Sequence, residues 1–536
     1  MIKAGCCLLL LLFVYGCTHP GSGKSKTKTQ PVPRDLSITK AISYSDMFLD
    51  SLAVEKFITE QGLIDETANQ LRNFYNSRNY QYAWFTEKGL EQQARSFWNL
   101  HNNYLRYTQD SSLYSRQLHY EMDSLLSDES EVPIQSSRFT QLELELTLHF
   151  FNYAQVAFEG RIDPGELQWH IPRKKINALG LLDSLIQRNG EMLDTWEPLN
   201  AQYKKVRMEL LRLYELQKRG GWPQVEARAG GYRPGDTALG VVQLKNRFRL
   251  AGDFLSDDTS LVFTDELEKA VRRFQKRFGL ESDGIAGPAT LRVMNIPLGK
   301  RIEQVLVNME RMRWMPPRPK GKLLLANIPE FRLHVFEGDR EMFRMKIVVG
   351  REANRTVVFN DQLKYVVFSP YWNIPRSIVR NEIVPAMTKN RGYLARNNME
   401  QTGFSGGLPV IRQKPGGANA LGRVKFIFPN NYNIYFHDTP AQALFDHPRR
   451  AFSHGCIRLE QPEKLAAYLL QGTGKWTDEA INTAMYAGTE KWVSLENPVS
   501  VLITYFTAWV DEEGILNFRE DIYGHDKALA DRLFTE

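Results

Sequence analysis

Cysteine is almost missing from this 536-residue chain: there are four, and three of them, Cys6, Cys7 and Cys17, fall within the first 17 residues. A disulfide framework is therefore excluded from everything that follows, where Cys456 stands alone. A long apolar run is missing too, since the stretch Leu8 to Val14 is too short to cross a bilayer as a helix. Charge of one sign is hardly in excess: 68 basic against 62 acidic residues leave +6, with no dense basic stripe interleaved with aromatics, which argues against a nucleic-acid partner. No set of His, Asp and Glu has the spacing of a metal site, so neither a metal nor any other cofactor is expected.

What is present begins with an export signal. Lys3 supplies a positive start, Leu8 to Val14 an apolar core, and Val14-Tyr15-Gly16-Cys17 places a small residue before a cysteine. This resembles the bacterial lipoprotein signal, which implies lipidation of Cys17, a membrane anchor and a periplasmic location. An ordinary cleaved signal or an uncleaved anchor are the alternatives. Residues 18–36, rich in Gly, Ser, Lys, Thr and Pro, read as a flexible tether. With 43% hydrophobic and 24% charged residues, the remainder is ordinary globular protein, long enough for about three domains.

The hydrophobic period divides that remainder into a multidomain α+β chain. Residues 37–227 are helical in pattern: Tyr203, Val206, Leu210, Leu213 and Leu216 trace one stripe before Gly220-Gly221, and Leu142, Leu146 and Phe150 mark another buried segment. His101, His119, His149 and His170 are scattered there and read as core or surface residues. Residues 228–297 form a compact three-helix unit, with Leu267, Val271, Phe274 and Phe278 at helical spacing and Asp283-Gly284 turning into a helix that starts at Pro288. After a helical connector, residues 298–536 change to period two, as in Phe343, Met345, Ile347 and Val349 or Val501, Ile503 and Tyr505. Inside this mostly β domain, residues 376–421 are more polar and carry two glycine-rich stretches, which reads as an inserted lid.

A lone thiol in an exported protein risks wrong disulfides and irreversible oxidation, so a nucleophile explains Cys456 better than packing does. A free thiol, with a pKa of about 8.5, is mostly protonated at neutral pH, so a neighbouring imidazole is needed to remove its proton. His437 ends an expected strand over 432–437 with Tyr435 on the same face, and fifteen residues separate it from Ser453. That gap allows the chain to return beside the strand end. His454 is the alternative base, with shaping of the loop or contact with substrate as its other role. Gly455 permits a close turn in which its amide and that of Cys456 face a developing oxyanion. Arg458 lies on the Cys456 side of an extended segment, either to pair with a substrate carboxylate or to form an ion pair with Glu460 or Glu463.

His437, the gap, Ser453-His454-Gly455-Cys456 and Arg458 together resemble the signature of the L,D-transpeptidase catalytic domain. The run Ala270 to Gln275 with the Asp283-Gly284 turn resembles the peptidoglycan-binding domain, against the plainer reading of a spacer. Tyr371-Trp372-Asn373-Ile374-Pro375 and Asp438-Thr439-Pro440 fit the large periplasmic type, with a scaffold domain and a capped catalytic domain. The resemblance implies acyl transfer between peptidoglycan tetrapeptide stems as donor and acceptor. Cys456 would attack, D-alanine would leave, and the thioester would be resolved by a second stem's side-chain amine, giving a 3-3 cross-link. It implies His437 as base, the backbone carbonyl of Asp438 as its orienter with the carboxylate as runner-up, Gly455 as an oxyanion amide, and Ser453, His454, Arg458, Tyr435 and Trp372 as substrate contacts. It also implies acylation by carbapenems. Two other classes share this sequence: a hydrolase using the same site, as an L,D-carboxypeptidase or a cross-link- or lipoprotein-releasing enzyme, and a non-catalytic wall-binding scaffold.

Overall fold

The computed structural model describes residues 31–127, 137–472 and 474–534; the signal, Cys17 and most of the expected tether lie outside them. The end of that tether is held, because the Val32 amide donates to the Asn73 side chain and Asn76 Nδ2 donates to the Val32 carbonyl. The described residues form two compact units, 31–89 with 137–147 and 90–127 with 148–534.

In the first unit, helices Ser51–Glu60 and Asp65–Asn76 pack through Val54, Phe57, Leu71 and Phe74. A buried carboxylate organises it. Glu143 accepts from the Ala83 and Trp84 amides and from the Tyr75 hydroxyl. Its burial lifts its pKa to about 7 despite those donors.

The second unit begins with helical residues. The stripe Tyr203, Val206, Leu210, Leu213 and Leu216 is buried on helix Ala201–Lys218. Three of the four scattered histidines come together: the rings of His101 and His149 lie 4.6 Å apart and those of His101 and His119 5.3 Å apart. Helical turns in a segment without histidine spacing of its own bring them there. No group of three or more donors among the described residues could hold a metal ion.

Helices Leu239–Ala251, Asp265–Arg277 and Pro288–Met294 form the three-helix module. Gln275 builds its turn: the buried amide donates to Asp283 and to the Ile285 carbonyl, and accepts from the Gly284 amide, where φ is +78°. Helix Leu298–Trp314 leads from the module into the β-rich domain.

That domain has strands β1 (Lys322–Asn327), β2 (Arg332–Glu337), β3 (Arg340–Gly350), β4 (Val358–Phe368), β5 (Trp372–Asn373), β6 (Met399–Ser405), β7 (Leu408–Gln413), β8 (Val424–Ile427), β9 (Phe436–His437), β10 (Ala451–Ser453), β11 (Ile457–Leu459) and β12 (Lys491–Thr504). The main sheet runs β8-β9-β11-β3-β2-β1-β12-β4, and β4 also pairs with β8, which closes it on itself. The short strand Trp169–His170 adds in parallel to β4 at Val358 and Phe359. Leu333, Val335, Ile347, Val366, Phe426, Phe436, Ile457 and Ile503 fill the core.

The 376–421 insertion is a folded subdomain rather than loop. Short helical turns from Arg376 to Arg396 precede the β6/β7 hairpin, and β5 adds to it in the order β5-β7-β6. Ile374, Ile378, Val379, Ile383 and Ile411 give it a core of its own. The Gly406-Gly407 pair, both at positive φ, is the hairpin turn.

Candidate active site

Period-two alternation builds the site. Phe436 on β9 and Ile457 and Leu459 on β11 point into the core, so Tyr435 and His437 on one strand and Cys456 and Arg458 on the other share the opposite face. The strands pair in parallel, with Phe436 opposite Ile457 and His437 opposite Arg458. The Ile457 amide donates to the Tyr435 carbonyl at 3.2 Å, which extends the ladder toward the thiol. His437 and Cys456 are thus diagonal neighbours across strands about 4.8 Å apart. The strand expected over 432–437 is only Phe436–His437, because the Asn430 side chain holds the preceding turn by accepting from the Tyr432 and Ile434 amides.

His437 is buried, and its Nδ1 lies 2.5 Å from the Asp438 carbonyl. A carbonyl only accepts, so Nδ1 carries the hydrogen and Nε2 keeps the lone pair. Burial and the nearby Arg458 charge push its pKa down to about 3, so the imidazole is neutral. The Asp438 carboxylate is engaged elsewhere: it accepts from the Arg423 and Thr439 amides at 2.8 and 2.6 Å, so it does not orient the imidazole.

Cys456 is half-buried and donates to the Asn433 carbonyl at 3.4 Å. Burial raises its thiol above the ordinary range, opposed by the amide and hydroxyl of Tyr435. The resting pair is therefore a neutral thiol and a neutral imidazole, and the thiol must turn from Asn433 to reach Nε2. Tyr435, half-buried, has its ring 5.7 Å from the His437 ring, and Cys456 and Trp372 both lie near enough to its hydroxyl to bias its titration, which burial pushes well up. Trp372 also packs on the lid core, which ties the lid to the thiol.

Two expectations need correction. The Gly455 amide is not free for an oxyanion, because it donates to Ser453 Oγ at 3.1 Å. Ser453 is not a substrate contact either. It is 2% exposed and its hydroxyl also donates to the Cys456 carbonyl at 2.6 Å, so it braces the loop from within. The Gly455 carbonyl accepts from Thr356 Oγ1 at 2.8 Å, and Gly455 sits at φ +116°, where only glycine is unstrained. The amide of Cys456 itself remains as the donor for an oxyanion.

Arg458 forms no ion pair with Glu460, whose carboxylate takes Lys346 at 3.1 Å, and its buried Nε has no partner. His454 turns toward the lid, with Nε2 3.1 Å from Glu382 Oε1 and 3.4 Å from Arg351 Nη2. Sequence reasoning missed Thr356, Tyr523, Asn433 and Glu382. The Tyr523 hydroxyl donates to the Gly350 carbonyl and accepts from the Thr356 amide, so it steadies the residue that holds Gly455. No local signal marks such distant braces. A cavity of about 270 Å³ bordered by Gln217, Trp222, Asn295 and Leu298 has no titratable side chain in its wall and is separate from the thiol.

Residues 321–482 match the family model described as "L,D-transpeptidase catalytic domain", residues 69–210 that of the "Scaffold domain", and residues 237–294 the "Putative peptidoglycan binding domain". The chain thus carries an L,D-transpeptidase catalytic domain behind a scaffold and a peptidoglycan-binding domain. In particular it is similar to a "Putative L,D-transpeptidase" of Haemophilus influenzae, 29% identical over 254 residues, 44% of this chain and 51% of that protein. The chain spans about half the length of that relative. Among solved structures, an L,D-transpeptidase from Stackebrandtia nassauensis is 14% identical, covering 52% of this chain and 97% of that one at a TM-score of 0.23. One from Mycobacterium smegmatis is 11% identical, covering 34% and 58% at a TM-score of 0.20. Scores this low carry no argument about the fold.

Proposed function

We propose that the protein is a cysteine-dependent L,D-transpeptidase that forms 3-3 cross-links between peptidoglycan stem peptides. Cys456 is the nucleophile and His437 its base. The observation that carries this reading is the Nδ1 contact of His437 with the Asp438 carbonyl, which leaves the Nε2 lone pair free on the strand face that Cys456 shares. As Nε2 takes the thiol proton, sulfur attacks the donor carbonyl and the Cys456 amide receives the oxyanion. His437 returns the proton to the leaving D-alanine amine, and the donor remains as a thioester until a second stem's amine displaces sulfur. Arg458, half-buried and without a carboxylate partner among the described residues, suits a stem carboxylate.

The setting follows from the same reading. Stem peptides as substrates place the protein at the cell wall in the periplasm, and Cys17 would anchor it to a membrane as a lipoprotein. Among the described residues no helix is long and apolar enough to cross a membrane. Labelled fatty acid should enter the wild type and not Cys17→Ala.

The deciding experiment is mass spectrometry of products from purified tetrapeptide muropeptides. A cross-linked dimer with loss of D-alanine supports transfer. Free tripeptide alone would make the protein a hydrolase using the same thiol, and unchanged substrate would leave a wall-binding scaffold.

A further inference from the structure

The loop before the thiol carries a second histidine in surroundings unlike those of the first. His454 is 40% exposed, and its Nε2 stands between Glu382 Oε1 at 3.1 Å and Arg351 Nη2 at 3.4 Å. A nitrogen between a donor and an acceptor is served with or without its proton. Glu382 belongs to the lid and is 52% exposed, so its carboxylate remains open to a ligand. The rest of this rim is basic: among the described residues Arg351 and Arg458 have no acidic partner of their own, while Arg355 faces Glu352 at 3.9 Å. One open carboxylate, one guanidinium and an imidazole therefore meet at the loop that carries the thiol, two residues before Cys456.

That combination matches an amine carried on an amino-acid centre, an ammonium beside a carboxylate. The match has a chemical reason that rests on the acyl-enzyme reading above. D-alanine, the leaving group of the first half-reaction, is itself an amine beside a carboxylate. The acceptor of the second half-reaction enters the place it vacates, by the same path reversed.

We propose that Glu382, Arg351 and His454 form the acceptor subsite, in which Glu382 receives the acceptor ammonium, Arg351 its neighbouring carboxylate, and His454 one of its protons. The ammonium gives one proton to His454 Nε2, and Glu382 holds the imidazolium. The freed lone pair attacks the thioester carbonyl and forms the C–N bond. When the tetrahedral intermediate collapses, the C–S bond breaks and a second proton passes from nitrogen through His437 to sulfur. The third hydrogen stays on the new amide, Cys456 is again a neutral thiol, and His454 releases its proton to water. His437 and His454 thus divide the work: one serves the sulfur and the other the incoming nitrogen.

The test uses the full chain, a tetrapeptide muropeptide as donor, and D-methionine or D-methioninamide as acceptor. Wild type should transfer to D-methionine in preference to the amide, which lacks the carboxylate. Glu382→Gln should lower acceptor kcat/KM by about 10- to 100-fold, the size of a lost charge-assisted bond. Its rate of carbapenem adduct formation on Cys456 should fall less than about threefold, because that step needs no amine. Glu382→Asp should recover part of the transfer, and Arg351→Ala should erase the preference for D-methionine over its amide. Equal losses in adduct formation and transfer with Glu382→Gln would make Glu382 a structural latch and overturn the proposal. Unchanged transfer would overturn it as well. A wild type that forms no adduct on Cys456 is a different result, since it removes the acyl-enzyme reading itself.

Discussion

The strands around Cys456 and the lid above it are built on different terms. On β9 and β11 the reacting groups are placed by backbone: the parallel ladder sets Tyr435, His437, Cys456 and Arg458 on one face, and a main-chain carbonyl orients the imidazole. The lid has its own five-residue buried core and reaches the thiol through side chains, Trp372 toward Tyr435 and Glu382 toward His454. A ladder cannot shift by one residue without turning every side chain over, whereas a side-chain contact can open and re-form. On the function proposed above, the comparison teaches that the groups to activate sulfur are placed by the ladder, and the groups to select what meets it by side chains of the lid.

The largest test of that division is removal of the reacting groups. Cys456→Ala should fold and show no carbapenem adduct by intact mass. His437→Ala should form the adduct about 10²–10⁴-fold more slowly. His454→Ala should be the milder change, and the reverse ranking would move the base from the strands to the rim.

Replacement of residues 376–421 by a glycine linker is the next largest. Cross-link formation should fall further than the rate of thiol alkylation, because the lid places substrate and does not activate sulfur. Equal loss of both would show that the strands depend on the lid.

Acid should separate the two regions again. The lid has no histidine, whereas burial holds His437 down to about 3. The unfolded chain binds this proton near pH 6.5 and the folded site does not, so its contribution is complete above that pH and is lost as pH falls toward 3. With the intrinsic pH dependence of exchange divided out, amide protection should fall between pH 7 and pH 5 around β9 and β11 more than in β6 and β7. A uniform fall in protection would break the distinction.

The smallest effect expected is that of Ser453→Ala. Its hydroxyl makes two hydrogen bonds within the loop, at about 1 kcal/mol each, so adduct formation should slow by no more than about 30-fold. No change would mean that the loop is held by Thr356 alone.

Much of the rigid part was legible in the chain, because alternation and a short gap are local signals. Ile434 and Phe436, alternating with Tyr435 and His437, announce which face each takes, and the carbonyl of Asp438 lies one residue along the backbone. What was not legible depends on which hydrogen bonds win once the loop closes. Ser453 looked like a group for substrate, but its hydroxyl has two backbone partners within three residues and takes the Gly455 amide with it. The lid was read from polarity and glycine as loop. Its core is spread over Ile374, Ile378, Ile383 and Ile411, which no single periodic window contains. Histidines that looked scattered, His101, His119 and His149, meet only through helix packing.

Tyr523 gives the site an order of assembly. It lies past residue 482, where the catalytic-domain match ends, and yet its hydroxyl joins the Gly350 carbonyl to the Thr356 amide, and Thr356 in turn holds the Gly455 carbonyl. A chain that leaves the ribosome or crosses a membrane with its N-terminus leading presents Cys456 well before Tyr523 has followed. Until then the thiol sits in a loop without its brace, and a nascent or prematurely ended chain carries Cys456 without the support that Thr356 and Tyr523 give its loop. A residue close to the end of the fold is in this sense a safety catch on the proposed nucleophile.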